Sequence, residues 1–299
     1  MSRPDWRVEG KDWPHREHSR FIERGGIRWH VQIMGSGPVL LLLHGTGASS
    51  HSFRALMPLL ARRFTVVAPD LPGHAFSIAP SSFQPSLPGT AAALAGLLAE
   101  LALSPAVVIG HSAGAAVMIR MALDHTIAPT LLIGLAAALV PFRGVATSLF
   151  APAARLLSSS RFAAQLIALQ ARDRANVDQL MRSTGSALDR RGVELYQQLG
   201  RHPGHVAAVL SMLAVWDLEP LFAELPALKL PLLLLAGEVD RAIPVAQQRE
   251  VAARTPGARL VLIPHTGHLL HEEQPMTVAH LILEEIDRAA QVTAASKPA

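Results

Sequence analysis

The stretch Gly110-His111-Ser112-Ala113-Gly114 decides the fold of this chain. An apolar run typical of a strand precedes it at 106–109, and an alanine-rich run typical of a helix follows it at 115–123. The G-x-S-x-G pattern is weak evidence by itself, since it occurs often by chance. Between a strand and a helix it predicts a nucleophile elbow, a sharp turn that exposes the serine hydroxyl at the top of a sheet. We therefore predict Ser112 as a nucleophile.

A glycine-rich turn upstream of the elbow predicts the groups that would stabilise an oxyanion. The apolar run 39–43 is typical of a buried strand and ends in a His-Gly-Thr-Gly turn at 44–47. Such a turn lets backbone N–H groups point at the charge that develops on a substrate carbonyl oxygen. We predict that the two donors are the backbone N–H groups of Thr46 and Ala113.

Other polar or small residues beside these turns are candidates for substrate contact. We expect His44, Gly45 and His111 to line the substrate-binding site, since they flank the predicted donors and the nucleophile. The alternatives are that His44 and its glycines form a tight strand-to-helix turn and that His111 is a packed residue. Asp70, which follows the strand-like run 64–68, is expected to bond backbone amides in its own turn.

Two later turns supply the remaining groups that a serine nucleophile needs. A strand-like run at 232–235 is followed by Asp240, and another at 260–263 is followed by His268. The order nucleophile, acid, histidine along the chain differs from the order in the chymotrypsin and subtilisin folds. His268 would take the serine proton, and Asp240 would hold the imidazole in the required tautomer. The sequence therefore predicts a triad with Ser112.

Rival residues lie next to the predicted acid and histidine. Glu238 is the alternative acid, although a solvated turn residue is the simpler interpretation. His265 and His271 flank His268 at three-residue spacing, with two glutamates beyond, so a zinc site is an alternative. No second cluster completes a ligand set, and Gly267 suits the tip of a loop. We therefore predict neither a metal nor another cofactor.

The composition favours one large domain with an insertion. The chain has 299 residues, of which 50% are hydrophobic, and it has no cysteine. The absence of cysteine excludes disulfides, thiol catalysis and thiolate metal sites. The longest apolar stretch, 131–140, is shorter than the ~18 residues that a membrane span needs. Charges are spread through the first residues without a hydrophobic signal region, so we expect a cytoplasmic protein.

The pattern along the chain predicts an α/β fold with a helical cap. A hairpin is expected around Gly25-Gly26, followed by strands that alternate with helical stretches such as 53–60 and 90–101. This alternation predicts a mostly parallel eight-stranded sheet with helices on both faces. The segment 141–215 has helical spacing and is expected as a cap inserted after the sixth strand, over the ligand-binding edge of the sheet. The core would then comprise 1–140 and 216–299.

Positive charge is concentrated in this predicted cap. The segment 141–215 contains nine arginines, no lysine and four acidic residues, whereas the net charge of the whole chain is +4. One interpretation is a solvated helical face. The other is that the cap attracts acidic ligands or an anionic membrane surface. Nucleic acid is not an expected partner, because no binding module or interleaving of basic and aromatic residues is present.

The chain resembles the α/β-hydrolase superfamily along nearly its whole length, and the motifs above are the superfamily-wide part of that likeness. A tryptophan-bearing N-terminus makes it similar to a subgroup, the magnesium-chelatase-associated hydrolases of bacteriochlorophyll biosynthesis (the BchO group). One departure is Ala75, which follows His74 where the superfamily turn usually has a second glycine. The residues that carry the likeness to the subgroup are Pro4-Asp5-Trp6, Glu9-Gly10-Lys11-Asp12-Trp13-Pro14, Ser19-Arg20-Phe21 and Gly25-Gly26-Ile27-Arg28-Trp29-His30-Val31-Gln32.

The resemblance implies a role in or beside bacteriochlorophyll biosynthesis, linked to magnesium insertion into protoporphyrin. Two hypotheses follow. The first is a serine-type hydrolase of a hydrophobic ester or related carbonyl compound, with a tetrapyrrole as one candidate and cap arginines pairing with its carboxylates. The second is a non-catalytic tetrapyrrole-binding or magnesium-chelatase accessory protein. For either hypothesis, the basic surface of the cap is expected to allow a peripheral position on the photosynthetic membrane. The complete predicted triad favours the hydrolase, because a binding protein does not need it.

Overall fold

The computed structural model describes residues 1–141 and 161–295. The first part of the predicted cap, 142–160, lies outside the described residues, and with it two of the nine cap arginines, Arg143 and Arg155.

The described residues form an eight-stranded sheet in the order β1-β2-β4-β3-β5-β6-β7-β8. β1 pairs antiparallel with β2, and β2 pairs antiparallel with β4. All the other neighbouring strands are parallel, so the predicted mostly parallel sheet is confirmed. The strands are β1 (Ser19–Arg24), β2 (Ile27–Met34), β3 (Val39–Leu43), β4 (Thr65–Pro69), β5 (Val107–His111), β6 (Leu131–Leu135), β7 (Leu232–Gly237) and β8 (Ala258–Ile263).

Helices cover both faces of this sheet. Those of the core are α1 (Leu56–Leu60), α2 (Leu87–Glu100), α3 (Ala113–Leu123), α8 (Glu219–Glu224), α9 (Val245–Arg254), α10 (Leu270–Glu273) and α11 (Pro275–Ala295). Those inserted between β6 and β7 are α4 (Arg161–Gln170), α5 (Arg174–Ser183), α6 (Arg190–Gly200) and α7 (Pro203–Val215). The order of these elements agrees with a cap inserted after the sixth strand.

The leucine-rich central strands are buried on both sides, as the sequence runs indicate. In β3, Leu41 and Leu43 join one apolar cluster, whereas Leu40 and Leu42 join the cluster on the opposite face. This alternation follows from the two-residue period of a strand, and continuous apolar runs are needed where helices cover both faces. The sheet therefore separates two core layers and presents the carboxyl ends of its parallel strands at one edge.

The predicted helix at 53–60 is shorter than expected. A 3-10 turn, Ser50–Phe53, precedes α1, and the Ser49 side chain caps it. The backbone N–H of Ser50 donates to Oδ1 of Asp70, 2.8 Å away. Because this buried carboxylate holds the start of the segment, the chain forms a tight turn before the helix.

The N-terminal segment bridges the core and the cap. The Glu9 carboxylate accepts hydrogen bonds from Arg201 (2.9 Å) and His202 (2.5 Å) at the end of α6. Trp13 packs in a small cluster with Phe76 of the core and with Leu195 and Leu199 of α6. Residues 2–13 therefore form a strap between the core and the cap.

Candidate active site

Ser112 sits at a strained elbow between β5 and α3. Its φ and ψ angles are 50° and −117°, outside the regions that ordinary residues prefer. A Cβ atom at Gly110 would lie 2.5 Å from Cα of Ala115, and one at Gly114 would lie 2.2 Å from the carbonyl oxygen of Leu43. Both glycines of the G-x-S-x-G pattern are therefore required sterically, and the side chain of Ser112 is left partly exposed.

Asp240 and His268 come together from the turns after β7 and β8. His268 Nδ1 lies 2.9 Å from Oδ2 of Asp240. The other carboxylate oxygen, Oδ1, accepts the backbone N–H groups of Ala242 (2.8 Å) and Ile243 (2.9 Å). A carboxylate held in this way orients the imidazole and keeps the proton of a neutral ring on Nδ1, which leaves Nε2 as the basic nitrogen.

His111 connects the elbow to the loop of His268. Its Nε2 donates to the backbone carbonyl oxygen of His268 across 3.1 Å, and the two rings are 4.8 Å apart. Its Nδ1 is buried and has no hydrogen-bond partner among the described residues. Burial, together with the nearby rings of His271 and His268, holds the pKa of His111 well below its usual value. The side chain is buried, so its observed role is to fix the histidine loop rather than to present a surface to a ligand.

The predicted oxyanion turn abuts the elbow. A Cβ atom at Gly45 would lie 3.0 Å from Cβ of Ser112, so the two turns are in direct contact. Within residues 1–141 and 161–295, the backbone N–H groups of Thr46 and Ala113 have no backbone acceptor. Two unpaired N–H groups beside a serine are what stabilisation of an oxyanion requires.

His44 has a positional role in this turn. Its Nε2 accepts the backbone N–H of Leu71 (2.8 Å), which places the proton on Nδ1, and Nδ1 donates to the carbonyl oxygen of Gly45 (2.8 Å). The ring is fully buried, and burial lowers its pKa, so it stays neutral. Contact of this ring with a substrate, which we expected from the sequence, is not supported by its position, because both nitrogens are engaged and the side chain has no exposed surface.

The cap helix α7 forms a roof over the oxyanion turn. The Thr46 hydroxyl lies 3.8 Å from Sδ of Met212, and Nε2 of His205 donates to the carbonyl oxygen of Gly47 (3.2 Å). Nδ1 of His205 accepts the N–H of Ala75 (3.1 Å), whose φ is +43°. The residue that departs from the usual glycine therefore adopts the left-handed backbone nonetheless, and its N–H binds the roof.

The segment after α5 anchors the cap to both loops that carry the predicted acid and base. The backbone N–H of Arg241 donates to the carbonyl oxygen of Thr184 (3.0 Å). The Ser186 hydroxyl oxygen accepts the N–H of Leu269 (2.8 Å). The neighbours of Asp240 and of His268 are thus held by one short stretch of the cap.

A buried ionic network adds a second anchor that the sequence did not reveal. The carboxylate of Glu272 accepts hydrogen bonds from Arg54 and from the Tyr196 hydroxyl (2.8 Å), and Arg54 also pairs with Asp189 (2.9 Å). Burial raises the pKa of Glu272 to about 7, against the opposing effect of Arg54 and Tyr196. Glu272 follows His268 closely in sequence, but no local signal identifies its partners, which come from the core and from α6.

The rival residues are not brought to the site as a set. Glu238 is exposed, and His265 is exposed in a left-handed turn, whereas His271 is buried. Within the described part of the chain, no group of three or more His, Asp or Glu residues is arranged to hold a metal ion.

The cap arginines whose side chains are described all lie on the exposed surface of the cap. Four of them form ion pairs or hydrogen bonds there, with Asp178, Glu194 and the strap residue Glu9. The expected pairing of cap arginines with the carboxylates of a bound ligand is therefore not supported by the described residues. These six arginines are Arg172, Arg174, Arg182, Arg190, Arg191 and Arg201.

No single helix in the described part has both the length and the hydropathy of a membrane span. One pair of helices, Pro203–Val215 and Glu219–Ala227, meets these criteria jointly but is bent by 56°.

Sequence comparisons agree with the fold. The profile of the Alpha/beta hydrolase family matches residues 40–281. The chain is 40% identical over 285 residues to the magnesium-chelatase 30 kDa subunit of Rhodobacter capsulatus, an alignment that covers 95% of this chain and 99% of the relative. It is also 27% identical over 275 residues to 2-(acetamidomethylene)succinate hydrolase of Mesorhizobium japonicum, covering 90% and 95% of the two chains.

Solved structures show the same architecture. An alpha/beta hydrolase fold protein from Burkholderia ambifaria matches with a TM-score of 0.75 and 26% identity, covering 89% of this chain and all of the other. A thermophilic esterase from Thermogutta terrifontis matches with a TM-score of 0.71 and 25% identity, covering 91% and 98%. From the family match, the 40% identical relative and the shared architecture, we conclude that this chain belongs to the α/β-hydrolase family.

Proposed function

We propose that the protein is a serine hydrolase that acts in or beside bacteriochlorophyll biosynthesis, with Ser112, Asp240 and His268 as its triad. The observation that carries the proposal is the His268–Asp240 hydrogen bond of 2.9 Å, formed in a loop that His111 ties to the elbow. A strained serine, an ordered imidazole and a buried carboxylate are the three parts that nucleophilic acyl transfer needs.

The reaction follows from these roles. Nε2 of His268 accepts the hydroxyl proton as Oγ of Ser112 attacks the substrate carbonyl carbon. The backbone N–H groups of Thr46 and Ala113 donate hydrogen bonds to the oxyanion that forms, and Asp240 stabilises the imidazolium. The imidazolium then gives its proton to the leaving group, and an acyl-enzyme remains on Ser112. Water, deprotonated by His268, hydrolyses this ester and restores the serine.

The walls of the site favour an apolar substrate. Met212 contacts Thr46, and Ala208 and Val209 of the roof lie against Gly73 and Gly47. A hydrophobic ester or related carbonyl compound fits this environment, because burial of its apolar part contributes to binding. The similarity to a magnesium-chelatase subunit supports a tetrapyrrole among such compounds.

The second candidate function is an accessory role without turnover, in association with magnesium chelatase. The observation that favours it is the name of the 40% identical relative, which describes a subunit of that enzyme. On this view the hydrolase fold would bind a tetrapyrrole or a chelatase component, and the serine would be dispensable.

Two assays on Ser112→Ala test the proposal and separate the candidates. We expect the variant to lose hydrolysis of p-nitrophenyl acetate and butyrate, whereas Ser211→Ala should retain it, since the Ser211 hydroxyl donates to Ala207 in its own helix. In a bacteriochlorophyll-producing strain that lacks the gene, we expect Ser112→Ala to fail to restore normal pigment intermediates. Full restoration by this variant would favour the accessory role, and retained esterase activity would contradict the proposed nucleophile.

A further inference from the structure

Helix α4 of the cap exposes its large apolar residues and buries its small ones, the reverse of an ordinary amphipathic helix. Its large apolar side chains point to solvent, with exposed fractions of 73% for Phe162, 47% for Leu166 and 57% for Leu169. Its buried positions are small residues, including Ala164 and Ala168. The spacing of the exposed residues, four and three positions apart, places them on one face of the helix. A helix that only covers a protein core would bury the large side chains and expose the small ones.

This exposed face lies on the outer side of the roof. Ala164 and Ala168 pack with Val206 of α7, the helix that covers the oxyanion turn. Leu213 and Val215, near the end of α7, are also exposed, as is Leu180 of α5. Seven of the thirteen exposed large apolar residues of the described chain belong to the cap helices. The three large apolar side chains that share one face of α4 mark an interaction surface rather than scattered surface leucines.

The charge around the α4 face selects among possible occupants. The sequence of α4 contains no acidic residue, and the exposed Arg172 and Arg174 follow its end, with Asp173 between them as the cap of the next helix. The cap helices and turns at 161–215 contain seven arginines and four acidic residues. In a symmetric dimer through this face, surfaces of like charge would meet. An anionic lipid bilayer accepts both features, because its headgroups attract arginine and its acyl boundary accepts Phe and Leu side chains.

We propose that the α4 face docks the cap on an anionic membrane surface, with Phe162, Leu166 and Leu169 inserted at the acyl boundary and Arg172 and Arg174 at the headgroups. Docking in this orientation places the roof helix α7 next to the lipid phase, where apolar substrates concentrate. The docking proposal can be tested independently of the catalytic proposal, since binding to vesicles does not depend on the triad.

Vesicle flotation of the full-length protein tests the docking. We expect the wild type to float with vesicles of phosphatidylcholine containing about one-third phosphatidylglycerol, and to float less with pure phosphatidylcholine. The double variant Phe162→Gln/Leu166→Gln should bind anionic vesicles about 30-fold more weakly, because two inserted side chains are lost. Arg172→Gln/Arg174→Gln should weaken binding to the anionic vesicles but should not change binding to pure phosphatidylcholine vesicles.

A matched control replaces two apolar residues that are exposed outside the cap. Met276→Gln/Val292→Gln changes side chains of α11 that are 68% and 60% exposed, and it should float like the wild type. Circular dichroism and thermal unfolding verify that each variant is folded. Absence of flotation of the wild type, or equal flotation of the α4 variant and the wild type, would overturn the proposal. Sedimentation that shows a dimer broken by the α4 variant, without flotation, would assign the face to a second copy and likewise overturn it.

Discussion

Nδ1 of His268 and Oδ2 of Asp240 are 2.9 Å apart, and the second oxygen of Asp240 is held by two backbone N–H groups. The carboxylate therefore cannot rotate away from the imidazole without breaking three hydrogen bonds. The competing acid two positions earlier, Glu238, is exposed. This contrast gives a reason to choose between the two carboxylates that the sequence alone did not supply.

Replacing the predicted acid should remove most of the activity. In Asp240→Asn the amide can donate to Nδ1, which moves the imidazole proton to Nε2 and removes the base. We expect esterase kcat to fall by roughly four orders of magnitude, the loss known for the equivalent change in a serine protease. The matched variant Glu238→Gln should keep the wild-type rate. Steady-state kinetics on both variants measure the difference, and a large loss in the second with activity in the first would reassign the acid.

A methyl group at Gly45 should damage the oxyanion turn. In Gly45→Ala the new Cβ would lie 2.9 Å from Nδ1 of His111 and 3.0 Å from Cβ of Ser112, so the turn must move away from the elbow. We expect kcat to fall by about 100-fold, as after loss of an oxyanion donor. Gly96→Ala in α2 is the control, since its nearest neighbour would be 3.7 Å away. An unchanged kcat in a folded Gly45→Ala protein would place the oxyanion donors elsewhere.

The buried histidines should make the fold sensitive to acid. Burial lowers the pKa of His271 to about 3, and neither of its nitrogens has a partner among the described residues. Below pH 6.5 this ring is protonated in the unfolded chain but not in the folded chain. The free energy of unfolding therefore falls as the pH falls, by about 1.4 kcal/mol per pH unit for each such group. This loss continues until the pH approaches the folded value.

The slope of the free energy of unfolding against pH reports how many more protons the unfolded chain binds than the folded chain. His271→Leu should therefore reduce this number by about one between pH 6 and pH 4. Urea unfolding across this range measures the slope. The exposed His280 on α11 provides the control, because His280→Leu should leave the slope unchanged. If the two variants show the same slope as the wild type, then the buried ring does not carry the acid sensitivity.

The strap should limit opening of the cap. Glu9→Ala removes the acceptor of Arg201 and His202; a hydrogen bond to a charged group contributes about 1.5–3 kcal/mol when buried, and less at Arg201, whose side chain is 47% exposed. We expect faster hydrogen exchange in α6 and in the first turn of α7, measured by mass spectrometry. Glu17→Ala, at a highly exposed position near the same end of the chain, is the control. Equal protection in both variants would show that the strap does not hold the cap.

Much of the fold and the positions of the proposed site residues could be predicted because each proposed residue follows a strand. Thr46, Ser112, Asp240 and His268 all lie just beyond the carboxyl ends of parallel strands, and parallel strands present those ends at one edge of a sheet. Apolar runs such as that of β3 identified the strands themselves. The local sequence was therefore sufficient to predict each strand and the residue that follows it.

Contacts between distant segments could not be predicted in this way. The Arg54–Glu272–Tyr196 network joins residues that are more than 70 positions apart, and the bonds of the strap to α6 span nearly 200. The hydrogen bond of His44 to Leu71 could not be predicted for the same reason, since Leu71 comes from another turn. The inverted pattern of α4 is visible in the sequence, but only the packing of Ala164 and Ala168 shows which side is exposed.

A second Ser-His-Asp arrangement provides an internal control for the central assignment. His30 lies 2.8 Å from Asp70 through Nδ1 and 3.0 Å from the Ser19 hydroxyl through Nε2. Ser19, however, belongs to the regular edge strand β1, whereas Ser112 occupies the strained elbow. This set is a structural network, so it should not react.

Labelling with a fluorophosphonate, followed by peptide mass spectrometry, distinguishes the two serines directly. We expect one adduct per chain, located on Ser112, with none on Ser19 and none in the Ser112→Ala variant. A folded protein that acquires no adduct, or one that is labelled on Ser19 instead, would contradict the assignment of Ser112 as an activated nucleophile.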